Sequence, residues 1–216
     1  MGKVAVDEET RKASQQLADE MRRIINRLAV VRPSAEELAR AAEAAASFAD
    51  RLDAMPQRTR SWEVSEAGLL PRDFIAYSPV SGRSNPMSPP VQLRVVPGKN
   101  DAAGEHRIEG DVTFGPAYEG PPGHVHGGLV AAMFDELLGF AQLNPGFTAY
   151  LHVNYRKPTP LNTPLHLVAW VESVNGRKRM VRGECYAGDV LLTDAEGLFI
   201  APRDDEDYLA RLGQQQ

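Results

Sequence analysis

The chain of 216 residues carries a single cysteine, Cys185, which excludes an intrachain disulfide and any cysteine-rich zinc site. A lone thiol suits a reducing compartment, so a cytoplasmic location is the expectation. No apolar run approaches the roughly 20 residues a membrane span requires. The start, Met1 to Thr10, is acidic and polar and does not have the build of a signal peptide. Basic charge is not in excess either: 24 Lys and Arg face 29 Asp and Glu, a net charge of -5. That balance excludes the strongly basic face of a general nucleic-acid binder, so no nucleic-acid partner is expected. The Gly-x-Ser-x-Gly elbow of the α/β-hydrolases, the phosphate-binding Walker loop and the dinucleotide fingerprint are all missing.

What is present divides by pattern. Residues 1–55 hold glycine only at Gly2 and proline only at Pro33. Leu17, Met21, Ile24, Ile25 and Leu28 recur at helical spacing, and Pro33 closes that segment. Ser34 followed by Glu37 has the form of a capping box, opening a second helix with the stripe Leu38, Ala42, Ala45, Phe48 and Leu52. The two predict a helical hairpin. Residues 56–90 are proline-rich and irregular, a surface connection able to fold over the core. From residue 91 to 202 the period changes. Val91 to Val96 and Ile108 to Phe114 read as strands, and a helix runs from about His126 to Gln142. Four extended segments follow at 148–155, 165–174, 178–187 and 190–200, with Asn175-Gly176 and Gly188-Asp189 as hairpin turns. Residues 203–216 form a tail. The order predicts an α+β fold: an antiparallel sheet wrapped round a central helix, preceded by the helical hairpin.

Chemistry concentrates in Gly120-Pro-Pro-Gly-His-Val-His-Gly-Gly-Leu-Val-Ala-Ala-Met-Phe-Asp135. A helix apolar all round belongs in a core, yet it contains Asp135 and Glu136, and a buried carboxylate is costly unless bonded or solvated. Gly127-Gly128 suits a helix's first turn, where unpartnered amides at the positive end of the dipole can stabilise an oxyanion. Gly127 and Asp135 are eight residues apart, about 12 Å along a helix. One helix therefore cannot bring both to one carbonyl. Two antiparallel copies across a twofold axis can, so catalysis here would require a homodimer or a dimer of dimers. His124 and His126, with His152 or His166, have possible metal spacing, but nothing else supports a site and no metal is expected.

The His126-Gly127-Gly128 motif with Asp135 nine positions after the histidine, the Pro-Pro-Gly lead-in, Asn154-Tyr155-Arg156-Lys157-Pro158 and Gly176-Arg177-Lys178 together resemble the hotdog-fold acyl-CoA thioesterases of the PaaI-like group. The resemblance covers roughly residues 90–202. It implies Asp135 as the catalytic carboxylate, either base or nucleophile, the Gly127 amide as the carbonyl-polarising donor, and Thr148 as the hydroxyl that orients water. It implies substrate contacts at His126 and Gly128, and contacts to the coenzyme A portion at Asn154, Arg156, Arg177 and Lys178. Many relatives carry Asn six residues before the histidine, where this chain has Gly120. His126 is expected to be a buried residue that sets the loop. The implied activity is hydrolysis of an acyl-CoA to a carboxylic acid and free coenzyme A, with no separate cofactor. The alternative is an acyl-CoA sensor without turnover on the same fold.

Overall fold

The apolar segment after Gly127 and the β-branched runs beyond it build one helix laid across a six-stranded antiparallel sheet. The computed structural model describes residues 8–56, 76–97, 106–143 and 146–201. The expected tail, 203–216, and most of the first half of the 56–90 connection lie outside them.

The strands are β1 (Gln92–Pro97), β2 (His106–Val112), β3 (Phe147–Tyr155), β4 (Leu165–Asn175), β5 (Lys178–Ala187) and β6 (Val190–Ile200). Their order is β1-β2-β4-β5-β6-β3, every pairing antiparallel, so β1 and β3 are the edges. Gly176 and Gly188 both have φ +57° and begin the two tight turns of β4-β5 and β5-β6. Only glycine takes that conformation without strain, which is why these dipeptides were readable as hairpins.

The central helix, α3 after the two N-terminal helices below, runs Gly127–Ala141. Val130, Met133, Phe134, Leu137, Leu138 and Ala141 are buried, at the 3–4 spacing of one face. They meet Leu165, Leu167, Ala169, Val181 and Phe199 from the sheet in one core. Burying a side chain such as Phe134 or Leu138 contributes about 1.5–3 kcal/mol. The expectation of burial all round is not met. Gly128, Leu129 and Asp135 are exposed on a second face of α3. Edge strand β3 is exposed along most of its length beside that face, with Phe147, Tyr150 and Tyr155 open.

The N-terminal helices are α1 (Glu8–Leu28) and α2 (Ala35–Asp53). The capping box forms as expected: the Ser34 amide donates to Glu37 Oε2 at 2.8 Å, and the Glu37 amide donates back to Ser34 Oγ at 3.3 Å. The helices do not pack as a hairpin, however. Helix α2 buries no residue, and its apolar stripe faces outward. Periodicity fixed which face is apolar but carried no information on what would cover it.

Helix α1 packs instead on the 3-10 turn at Pro116–Tyr118 and on residues 76–91, burying Ala18 and Arg22. The Arg22 guanidinium donates to the carbonyls of Ser88 (2.8 Å), Arg83 (2.7 Å) and Asn85 (3.0 Å), and to Asp19. Burial draws its pKa below the ordinary arginine value, against the opposing pull of Asp19. Asn26 Oδ1 accepts the Ala117 amide at 3.2 Å. Residues 76–91 have no strand but are tightly held, with Ser78, Ser81, Ser84, Ser88 and Val91 buried.

Candidate functional site

The site is assembled where α3 runs antiparallel to β3. At the start of the helix, His126 is the N-cap, its backbone extended at φ -60°, ψ 126°. Its Nδ1 accepts the Gly128 amide at 3.0 Å, which requires that nitrogen to be unprotonated. His126 thus sets the loop as expected, but it is exposed rather than buried, because a cap sits at the helix mouth. The histidine carbonyl takes the amides of Leu129 and Val130. With Gly128 spent on the imidazole, the Gly127 amide is left without an acceptor among the described residues. The Gly127 carbonyl is held by the Tyr155 hydroxyl at 2.8 Å.

Gly120 is sterically forced. A Cβ there would lie 2.6 Å from the His126 Cα, closer than real side chains come. This backbone cannot carry an Asn at that position, so whatever an Asn contributes elsewhere is absent from this chain's loop.

Two turns along the helix, Asp135 projects from the exposed face of α3. Thr148 Oγ1 donates to Asp135 Oδ1 at 2.8 Å across to β3. The structure therefore joins two residues that the sequence separates by thirteen positions. A hydroxyl on one carboxylate oxygen fixes the plane of the group and leaves the other oxygen open. Glu136 faces the opposite way and is half-buried. It accepts from Ser78 Oγ at 2.5 Å and from Ser81, which ties α3 to the 76–91 segment.

The four residues implied for coenzyme A separate into two groups. Asn154 donates to Asp194 at 3.0 Å, and Arg156 Nε bonds the same carboxylate. Partial burial works to raise the Asp194 pKa, but the Arg156 and Asn154 hydrogen bonds outweigh it and hold the carboxyl below its ordinary value. This pair sits beside Tyr155, at the Gly127 end. Arg177 donates through Nε to the Ala201 carbonyl at 2.8 Å, at the opposite end of the sheet. Lys178 aligns with Ile200, which aligns with Phe147, so both cations lie near the Thr148 end.

Tyr155 and Asp194 escaped the sequence reasoning. Tyr155 lay inside a quoted motif but had no signal linking it to Gly127, and Asp194 lay unremarked in a strand. His124 Nδ1 contacts the Pro122 carbonyl and His166 pairs with Asp111, so neither converges with His126. Among the described residues, no group of three or more His, Cys, Asp or Glu could hold a metal ion, and no helix is long and apolar enough to cross a membrane.

The model of the thioesterase superfamily matches residues 122–193, which include the α3 face, all of β3 and Asp194's neighbour Thr193. The acyl-coenzyme A thioesterase THEM4 of Xenopus laevis is 37% identical over 91 residues, 40% of this chain and 41% of that protein. The protein of the same name from Bos taurus is 34% identical over 88 residues, 40% of this chain and 37% of that protein. The chain thus spans about two fifths of the length of these curated relatives. A solved thioesterase superfamily protein aligns far more fully: TM-score 0.71 and 34% identity over 87% of this chain and 90% of that one. Its agreement extends the likeness well beyond residues 122–193. With a near full-length relative of this identity, a sheet wrapped on α3 and the family's own segment at its centre, the chain belongs to the thioesterase superfamily.

Proposed function

We propose that the protein hydrolyses acyl-CoA thioesters to a carboxylic acid and free coenzyme A, at a site completed by a second copy of the chain. The observation that carries this is the split of one exposed helical face. An unengaged amide at Gly127 lies at one end, and a hydroxyl-steadied carboxylate at Asp135 lies about 12 Å away at the other. Neither end alone supplies both an oxyanion donor and a base. Antiparallel apposition of two such faces, along the free edge of β3, sets each Gly127 opposite the other chain's Asp135. The exposed Leu129, Phe147, Tyr150 and Tyr155 suit burial in that contact.

In the reaction, an oxygen nucleophile adds to the thioester carbonyl carbon and its oxygen becomes the anion that the Gly127 amide stabilises. Asp135 either takes the proton of the attacking water or itself attacks, forming an anhydride that water then opens. In both routes the carbon–sulfur bond breaks, coenzyme A leaves as the thiolate, and a proton returns to sulfur. Thr148 holds the carboxylate for the task. Lys178 and Arg177, at the Asp135 end, meet the phosphates of the coenzyme in this reading. The acyl-CoA substrate class follows from the names of the relatives. The test is thiol release from a panel of acyl-CoAs. Asp135→Asn should lower kcat roughly 10²–10⁴-fold with an unchanged melting temperature. Equal rates would remove Asp135 from the mechanism, and saturable binding without any wild-type turnover would favour a sensor. Incorporation of solvent ¹⁸O into Asp135 in a single turnover identifies the nucleophilic route.

A further inference from the structure

The unfulfilled hairpin is the largest feature that the catalytic reading leaves unused. On α1, Leu17, Met21, Ile24 and Leu28 are spaced 4, 3 and 4 residues apart, and Val31 follows in the turn beyond the helix. On α2, Leu38, Ala45, Phe48 and Leu52 are spaced 7, 3 and 4, with Ala41 and Ala42 between the first two. This alternation is that of a two-helix seam, which a helix docked on a globular core does not need. Both seams are largely open: Ile24 is 46% exposed, Leu28 59%, Leu38 47% and Leu52 37%. The docked face of α1, with Ala18 and Arg22, is a different one.

The charges match as well. The second half of α1, from Met21 to Leu28, holds no acid, and its outward cations are Arg23, paired with Glu20, and Arg27. Arg23, Ile24, Arg27, Leu28 and Val31 line a shallow groove there, and Arg27 has no carboxylate partner among the described residues. Helix α2 carries five acidic and two basic residues. Glu43, Asp50 and Asp53 on it are in no ion pair among the described residues.

The connection keeps the two seams of one chain apart. The amides of Val30 and Val31 both bond the Arg27 carbonyl at 3.0 Å, Pro33 fixes its own φ, and the capping box fixes Ser34. We propose that α2 docks in the α1 groove of a second copy of this chain, the two copies exchanging α2 reciprocally. Each exchange forms the seam twice, and each acidic α2 lies against a basic half of α1. The contact is independent of the catalytic assembly and uses neither α3 nor β3.

Energy transfer between full-length chains tests it. One population carries a donor at Gln16→Cys on α1 and the other an acceptor at Ala46→Cys on α2. Cys185 is buried with its thiol pushed up to about 12, so it stays unlabelled at neutral pH. Co-refolded populations should show strong intermolecular transfer. Ile24→Asp with Leu28→Asp should abolish it, or raise the dissociation constant at least tenfold, while thioesterase rate and helical circular dichroism stay as in the parent. Absence of transfer between copies overturns the proposal, as does transfer that survives the aspartates. Transfer confined to doubly labelled chains diluted in unlabelled protein also overturns it, because the hairpin then closes within one chain. A parent chain that shows exchange but hydrolyses no acyl-CoA would sink the catalytic reading alone.

Discussion

The two ends of the α3–β3 pair are built alike and behave as opposites. At each end a single hydroxyl from β3 reaches over to the helix. Tyr155 takes the Gly127 carbonyl, steadying the backbone while leaving the amide free to donate. Thr148 takes one oxygen of Asp135, steadying a side chain while leaving it free to accept. One end offers a proton donor without charge and the other an acceptor with charge. A thioester needs both around one carbon, so under the proposed function a single chain would hold two halves of two sites.

The sharpest way to break this comparison is Gly127→Pro. Gly127 is the first residue of α3, where proline is tolerated, and the extended backbone of His126 before it is one that a following proline accepts. The change deletes the free amide and little else. A drop of about 10²–10³-fold in kcat is expected, with melting within a few degrees of wild type, read by thiol release and calorimetry. A rate near wild type would show that the oxyanion is held elsewhere.

Mixing sharpens the comparison further. Gly127→Pro and Asp135→Asn chains are each inactive, but co-refolded at random they should recover about a quarter of wild-type activity, since half the dimers then hold one intact site of two. No recovery would mean that the two ends do not serve each other. Thr148→Ala should cost on the order of tenfold in kcat with little change in KM, and Thr148→Ser should restore most of it.

The smallest effect concerns acid stability at the Gly127 end. Asp194 has its folded pKa depressed, so it contributes stability above the ordinary carboxyl value of roughly 4. That contribution is lost as pH falls through the lower folded value. Asp194→Asn should therefore melt less differently at pH 7 and pH 3 than wild type does. An unchanged difference would show that Arg156 and Asn154 do not lean on it.

Much of this was legible because local patterns carry it. The glycine-first turns, the capping box of Ser34 and Glu37, and the strand limits all follow from chemistry within a few residues. The separation of Gly127 and Asp135 on one helix was legible because helical rise is fixed, and the proposed second copy rests on that spacing. Tyr155 was not, since its bond to Gly127 spans 28 positions and depends on the strand's register. Nor were the serines at 78 and 81, which lie in a proline-rich stretch without period and meet Glu136 only through the tertiary fold. The outward face of α2 shows the same limit from the other side. A stripe tells which residues avoid water but names no neighbour.

The buried guanidinium of Arg22 has a practical corollary. It donates to four backbone carbonyls of the 76–91 stretch, and that stretch in turn grips Glu136, next door to Asp135. A gene fragment trimmed to the recognisable enzymatic segment would strip those carbonyls of their donor and loosen the helix from behind. Expression boundaries drawn at β1 would thus cut through the scaffold, and the smallest sensible clone keeps the whole of α1.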